Sequence, residues 1–515
     1  MTAARRLAQA AGIGVAGYLL YSSVRLTLGS ARTVGEVERN ARPGTSTPPG
    51  PSPFRFVLIL PMLREDRIVA DTCRRFAAAA AAHARLDVVV ATSRSETADR
   101  DAAQVALRGT PAAGQPARWQ HEARLAVSRE AVPDLENALR AGNQQRVREL
   151  LAAYRRPTTA EIAAPLVEEL NKEIGRPGLY HVSVTDTRGT KAEKINLALA
   201  GWRQRHDVDP ATTYVGVYDA DSAPDPATFA MLETQLAGRM SPAERPPPIL
   251  QQVSCYCRNM HTLTGVRGVF SLADAIAQTR WALGFEYPLY RRYSRQAGGG
   301  RLRPLAYCVG HGCFVSLGFL HRIGGFPDIS PTDDLALGYL ASALGAEISP
   351  VPALDYCEVA PDPVRSMRQS RFWFSGSARF WRDLRHARRT FRPDISPPQW
   401  AWLHVDGFGR NAAWAGRGPA WAAALVLAVT TRQWRVAALL MAAHVIYVQG
   451  GYLQTIRALR RLPAAADQTG LAGMSRWRLG AGGVAASGTF ILRSLGPFTG
   501  LARLHPGGRG WKHER

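Results

Sequence analysis

The stretch "TTYVGVYDADSAPDP", Thr212 to Pro226, decides how the rest of the chain is read. A short apolar run, Tyr214 to Tyr218, ends in Asp219 and Asp221, one residue apart, and then in small residues and prolines. An apolar run of this length reads as a buried strand. In an open parallel sheet, ligands gather at the carboxyl ends of the strands. Two carboxylates there can hold a metal ion, attack a phosphate, or cap the helix that follows Pro226. Taken alone, the pair leaves all three open.

Upstream, the pattern is strand, helix, strand. "FRFVLILPMLRED" opens with a buried strand, Phe56 to Leu60, stopped by Pro61; a helix, Arg67 to Ala84, leads to a second strand, "LDVVVATS". A third strand, "LYHVSVTD", Leu179 to Asp186, precedes "TRGTKAEKINLALAGWR". There Thr190 and Glu193 form a capping box, and Ile195, Ala198, Leu199 and Trp202 share one helical face. This rhythm predicts an α/β fold on a mostly parallel sheet with helices on both faces. A polar insertion, about 96–177, interrupts it. Two amphipathic helices are expected within, "PDLENALRAGNQQRVRELLAAYRR" and "TTAEIAAPLVEELNKEIG", the second capped by Thr158 with Glu161 and stopped at Gly175. The insertion reads as a helical elaboration of the sheet.

The whole chain, 515 residues, is long for one domain and implies two or three parts. Lys and Arg outnumber acids 64 to 41, a net charge of +23, and are scattered among apolar segments. That distribution favours a membrane surface and sets nucleic acid aside. The six cysteines are too sparse for a disulfide scaffold, and Cys255 with Cys257 lacks a second CxxC or His pair to complete a zinc set. Leu7 to Leu28 is apolar behind Arg5 and Arg6, with a poor cleavage site after it, so residues 1–30 are expected to be an uncleaved membrane anchor. "RPGTSTPPGPSP", Arg42 to Pro53, is the core of a linker assigned to 31–53. Residues 54–395 form the main domain, and 396–515 a set of transmembrane and interfacial helices with a basic tail. In that last part "GPAWAAALVLAVTT" spans a bilayer only if it begins near Ala412 and includes Arg417. "WRVAALLMAAHVIYVQGGYL" is the second apolar segment, and "LGAGGVAASGTFILRSLGPFTGLA", broken by Arg493 and Pro497, is expected to be interfacial or re-entrant. Arg25, Arg32, Arg39 and Arg42 against Arg5 and Arg6 favour a cytoplasmic main domain.

Downstream of the aspartates lies "AYCVGHGCFVSLGFLHRIGGFPDISPTDDLALGYLASALGAEISPVP". Gly324-Gly325-Phe326 is a tight turn, and Asp333-Asp334 stands at the mouth of a helix, Leu335 to Leu344. An acid there is stabilised as a carboxylate by the helix dipole. It suits either a cap or a general base. Next comes "RSMRQSRFWFSGSARFW", whose arginines and aromatics can clamp a diphosphate, stack on a sugar, or form an interfacial helix.

In that order these segments resemble the membrane-bound family 2 glycosyltransferases with a GT-A fold, the cellulose-, chitin- and hyaluronan-synthase-like group. The resemblance runs from about Phe54 to Trp381 and on into the apolar C-terminal part. "PMLRED" is similar to the family's opening loop and implies Glu65 near the nucleotide; "KAEKIN" implies donor contacts by Lys191 and Asn196. "DAD" stands where the family has DxD. "GGFPDISPTDD" resembles the GGF…TED block, which implies Asp334 as catalytic base with Asp333 beside the substrate. "QSRFWFSG" resembles QxxRW…G through Gln369, Trp373 and Gly376, and the tail "GRGWKHER" is similar to the family's W-K-T-x-R ending. Two places depart from the pattern. The family's "DDGS" turn reads "ATSRSE", where Glu96 or Ser93 would substitute, and the QxxRW arginine position holds Phe372, with Arg371 one residue early as the implied diphosphate clamp.

The resemblance implies inverting transfer of a sugar from a nucleotide-diphosphate sugar to a lipid-linked or polysaccharide acceptor at the plasma membrane. Asp221 would hold Mg²⁺ or Mn²⁺ on the diphosphate, with Asp219 at the metal or the ribose. Membrane lipids are the other expected partner. Two alternatives stay open. One is a haloacid-dehalogenase-type phosphatase, although the fifth position of its DxDx[T/V] pattern is Ala223 here. The other is a catalytically silent membrane scaffold that binds anionic glycolipid.

Overall fold

The computed structural model describes residues 3–41, 52–109, 116–185, 189–239, 245–296, 302–462 and 471–501. Most of the expected linker (42–51) and the tail "GRGWKHER" lie outside the described residues. The protein is α/β and divides into two compact units, one of residues 55–209 and 218–220, the other of 1–54, 210–217 and 221–515.

The first unit carries three strands, β1 (Arg55–Pro61), β2 (Leu86–Ser93) and β3 (Leu179–Val184), in the order β3-β2-β1 with both pairings parallel. All of β2 is buried, its apolar run Val88–Ala91 as expected and Asp87 through its ion pair with Arg55 at 2.8 Å. Helix Lys191–Arg203 buries Ile195, Ala198, Leu199 and Trp202, the face read from its spacing. The insertion has a core of its own, built from Leu107, Val127, Leu135, Leu139, Val147 and Leu150 among others. The stretch expected as one helix forms two, Val132–Arg140 and Gln144–Ala153. Gly142 between them sits at φ +67°, and Asn143 caps the second helix by accepting from Arg146 N. A left-handed glycine followed by a good N-cap is a stop and a new start, which outweighed the helical spacing around it. Helix Thr159–Ile174 has both halves of its capping box and ends at Gly175.

The second unit holds β4 (Thr213–Val217), β5 (Ala223–Pro224), β6 (Ile249–Tyr256), β7 (Cys313–Ser316) and β8 (Ile348–Cys357), in the order β4-β7-β6-β8-β5. β6 and β8 are parallel; β7 runs antiparallel to both neighbours, and β5 antiparallel to β8. In this unit helix Asp333–Leu344 packs on helix Pro363–Ser377, with Tyr339 Oη donating to Ser377 Oγ at 3.3 Å. A Cβ on Gly376 would fall inside Thr332, the N-cap of the first helix. Gly376→Ala is therefore expected to cost about 1–3 kcal/mol by overpacking, read as a fall in Tm with a fall in activity. Unchanged values of both would show that this crossing is loose.

Three helices, Ala3–Asn40, Pro397–Thr430 and the segment Trp434–Arg461, are long and apolar enough to cross a membrane. The first continues past the expected anchor end at residue 30 because no breaker occurs before Pro43. Two π-helical turns, Ala282–Glu286 and Ile446–Gly450, each release carbonyls from the α-helical ladder. Thr33 Oγ1 of the N-terminal helix donates to Leu283 O at 2.8 Å, and Ser23 Oγ to Ile446 O at 3.4 Å. Arg280 donates to Tyr447 O at 2.5 Å. Gly29 and Gly284 let the N-terminal helix and the first π-turn touch backbone to backbone. Arg417, the charge inside the second apolar helix, donates to the hydroxyls of Tyr18 and Tyr447. Helix Arg476–Leu501 packs through its glycines, Gly482 against Tyr452 and Leu272, and Gly496 against Met367 and Ser370.

Candidate active site

In the first unit the Lys191 ammonium lies 2.5 Å from Asp219 Oδ1. Thr190 caps the helix by accepting from Glu193 N, while Glu193 reaches back one residue further than a capping box requires, to Gly189 N. Lys191 is thus the first residue of the helix, with its ammonium on the Asp219 carboxylate. One turn on, buried Lys194 donates to Met62 O of the "PMLRED" loop. Sequence reasoning passed over Lys194. The available signal was a lysine flanking Ile195 on the buried face, since a lysine is buried only when paired.

The "PMLRED" loop contains Arg64 at φ +62°, a conformation costly for a residue with a Cβ. Polar contacts from the helical insertion hold it there. Buried Glu96 accepts from Arg64 N at 3.1 Å and from Thr159 N at 2.9 Å, and Asp99 pairs with Arg64 at 2.7 Å. Glu65 N donates to Thr159 Oγ1 at 2.9 Å, and Arg156 pairs with Asp66. Glu96 is therefore engaged with this loop, and Ser93 is buried with its hydroxyl 2.7 Å from Ser95 Oγ. Glu65 and Asn196 are half-buried.

In the second unit Asp221 Oδ2 accepts from Glu358 N at 3.2 Å, and Arg258, absent from the sequence reading, donates to Asp221 O at 2.6 Å. Asp333 and Asp334 are the first residues of their helix, and Leu335 N donates to Asp334 Oδ1 at 2.8 Å. The Gly376 crossing brings the helix of Gln369, Arg371 and Trp373 against this N-terminus. All three of those side chains are half-buried, and the Trp373 ring lies 6.4 Å from that of Tyr256. The motif's two carboxylates thus fall in different units, Asp219 in the first and Asp221 in the second. Both present hard oxygen donors of the kind Mg²⁺ and Mn²⁺ select. Each has one oxygen engaged, Asp219 Oδ1 by Lys191 and Asp221 Oδ2 by Glu358 N.

Glu286, in the first π-turn, is a further acid at this site. Its Oε1 accepts from Tyr307 Oη at 2.9 Å, and Tyr307 in turn accepts from Trp281 Nε1 at 3.0 Å. Burial pushes the Glu286 carboxyl up to about 7; Tyr307's hydrogen bond and His311 oppose the shift, and the Asp334 charge adds to it. An acid inside "WALGFEYPLY" was the sequence signal. With a folded pKa about 7 against an ordinary 4.5, the folded chain holds a proton that the unfolded chain releases. Stability from this group is full below pH 4.5 and is lost as pH rises through about 7. Buried Asp383, also pushed up to about 7, titrates in the same window, so the difference between profiles reports Glu286. Glu286→Gln is expected to flatten the fall of Tm between those pH values; profiles of equal slope would contradict the assignment.

No protein-family model matches the chain, and no curated protein matches it. Among solved structures it is similar to the mannosyltransferase PcManGT from Pyrobaculum calidifontis in complex with GDP-Man and Mn²⁺. The TM-score is 0.45 and the identity 15%, over 90% of this chain and 98% of that one. A likeness of that degree carries no argument about this chain's chemistry.

Proposed function

We propose that the protein is a membrane-associated, inverting glycosyltransferase of the GT-A, family 2 kind, using a nucleotide-diphosphate sugar as donor. The observation that carries this reading is the Gly376–Thr332 crossing, which sets an arginine- and aromatic-bearing helix on the N-terminus that presents Asp334. A base for an acceptor hydroxyl and groups for an anionic, ring-bearing donor are what such a transfer needs.

In the proposed reaction the acceptor hydroxyl attacks the anomeric carbon. The new C–O bond forms as the bond to the diphosphate oxygen breaks. Asp334 takes the hydroxyl proton, and the helix dipole favours the carboxylate form it needs beforehand. Lys191 and Arg371 supply fixed positive charge to the departing nucleoside diphosphate, and Trp373 offers a face to the sugar. Glu65 and Asn196 contact the nucleoside, Asp219 the ribose, and Asp333 and Gln369 the sugar and acceptor. Asp221, with Asp219, would hold Mg²⁺ or Mn²⁺, which supplies charge neutralisation at the diphosphate. The acceptor is a lipid-linked or growing glycan at the cytoplasmic face of the plasma membrane.

The test is release of free nucleotide from a panel of sugar donors by the full chain in detergent with Mg²⁺ or Mn²⁺. Turnover that requires both a sugar donor and an acceptor supports the proposal. Hydrolysis of a simple phosphomonoester without sugar transfer would replace it with the phosphatase, and glycolipid binding without turnover would replace it with the scaffold.

A further inference from the structure

Behind the Asp221 stretch, in the second unit, three metal-ligating side chains converge. His311 Nδ1 lies 2.7 Å from Asp355 Oδ2, Cys357 Sγ lies 3.2 Å from that oxygen, and Sγ to Nδ1 is 3.4 Å. All three residues are buried, Asp355 completely. Asp355 and Cys357 sit two apart on β8 and so share a face of the sheet. His311 comes from the loop before β7, held by Gln251, which donates to His311 O at 3.0 Å and accepts from Val309 N at 3.0 Å.

We propose that His311, Asp355 and Cys357 bind a transition-metal ion, Zn²⁺ by their chemistry, in a structural site distinct from the cation on the donor diphosphate. The hydrogen bonding around Asp355 is lopsided without one. Ser222 Oγ, His311 and Cys357 all crowd Oδ2, while Oδ1 is buried with no hydrogen-bond partner among the described residues. A carboxylate oxygen has two lone pairs, and an orphaned buried one is costly. Ligand atoms on a tetrahedral zinc stand about 3.3–3.7 Å apart. Two of the three separations are already near this, and the ion would open the third. Charge also balances, because a carboxylate, a thiolate and a neutral imidazole cancel the two positive charges of the ion in a buried place. Thiolate and imidazole suit zinc and are poor ligands for Mg²⁺. Ser254 Oγ lies 3.0 Å from His311 Nδ1.

The ion would lock β8 to the loop before β7. Ser222 bonds to Asp355 and Ala223 pairs with Tyr356, so the segment following Asp221 is fixed to the same point. The site holds whether or not the protein transfers sugar.

The experiment is elemental analysis of the full chain in detergent after a mild EDTA wash, with a cobalt-substituted sample for spectroscopy. Roughly one zinc per chain is expected, together with a thiolate-to-cobalt charge-transfer band. Cys357→Ser should abolish that band, and Cys73→Ser, a buried thiol of the other unit, should keep it. Zinc well below one equivalent, a cobalt spectrum with no thiolate band, or a band that survives Cys357→Ser would overturn the proposal. If Cys357→Ser does not fold, the wild-type cobalt spectrum decides alone.

Discussion

Asp334→Asn is expected to lower the transfer rate by about a hundred- to ten-thousandfold, the usual weight of a general base, while leaving donor affinity near the wild-type value. Asparagine keeps the side-chain oxygen that accepts from Leu335 N and so preserves the helix start. What it removes is the capacity to take a proton. The measurement pairs initial rates of nucleotide release with calorimetric binding of the donor. Near-wild-type turnover would take the base assignment away from Asp334 and turn attention to Glu286, the neighbouring acid whose pKa, raised by burial to about 7, makes its carboxylate a stronger proton acceptor than an ordinary one. Loss of binding and rate together would mean that Asp334 holds the donor.

Asp221→Ala is expected to weaken donor binding roughly ten- to hundredfold, the size of a lost charge-assisted contact. It should also make the remaining binding indifferent to EDTA. The second effect is the more telling, because Asp221 also accepts from Glu358 N and its truncation disturbs that contact too. A variant of unchanged Tm whose binding still responds to EDTA would show that the cation is held elsewhere. Unchanged affinity would return "DAD" to the role of a strand end and helix cap.

Much of the fold was legible because it rests on local signals. β2 spans the residues of its apolar run, and the Thr158–Glu161 box starts its helix where expected. The break at Gly142-Asn143 was legible in principle, since the two residues are stop and start signals, but they sit inside apolar spacing that continues as one helix across them. Long-range pairings left no local trace. Glu96 is an ordinary acid in a polar stretch until its contacts with Arg64 and Thr159 show that it holds the "PMLRED" loop. The Gly376–Thr332 crossing joins motifs whose separation in sequence says nothing of contact. His311 and Cys357 follow no zinc spacing, because their approach is made by β8 running beside β6 and not by a short loop.

The N-terminal helix was expected as an anchor, and an anchor is interchangeable: any apolar helix of sufficient length would serve. This one is not. Its Thr33 and Ser23 close the carbonyls that the two π-turns leave open, and the first of those turns carries Glu286. A chain trimmed to begin at β1 would lose more than its hold on the bilayer. It would expose two gaps in its own hydrogen bonding, one of them beside the acid that shares a field with Asp334. The helix is thus part of the working body of the protein, and any soluble version would have to supply those two hydroxyls from somewhere else.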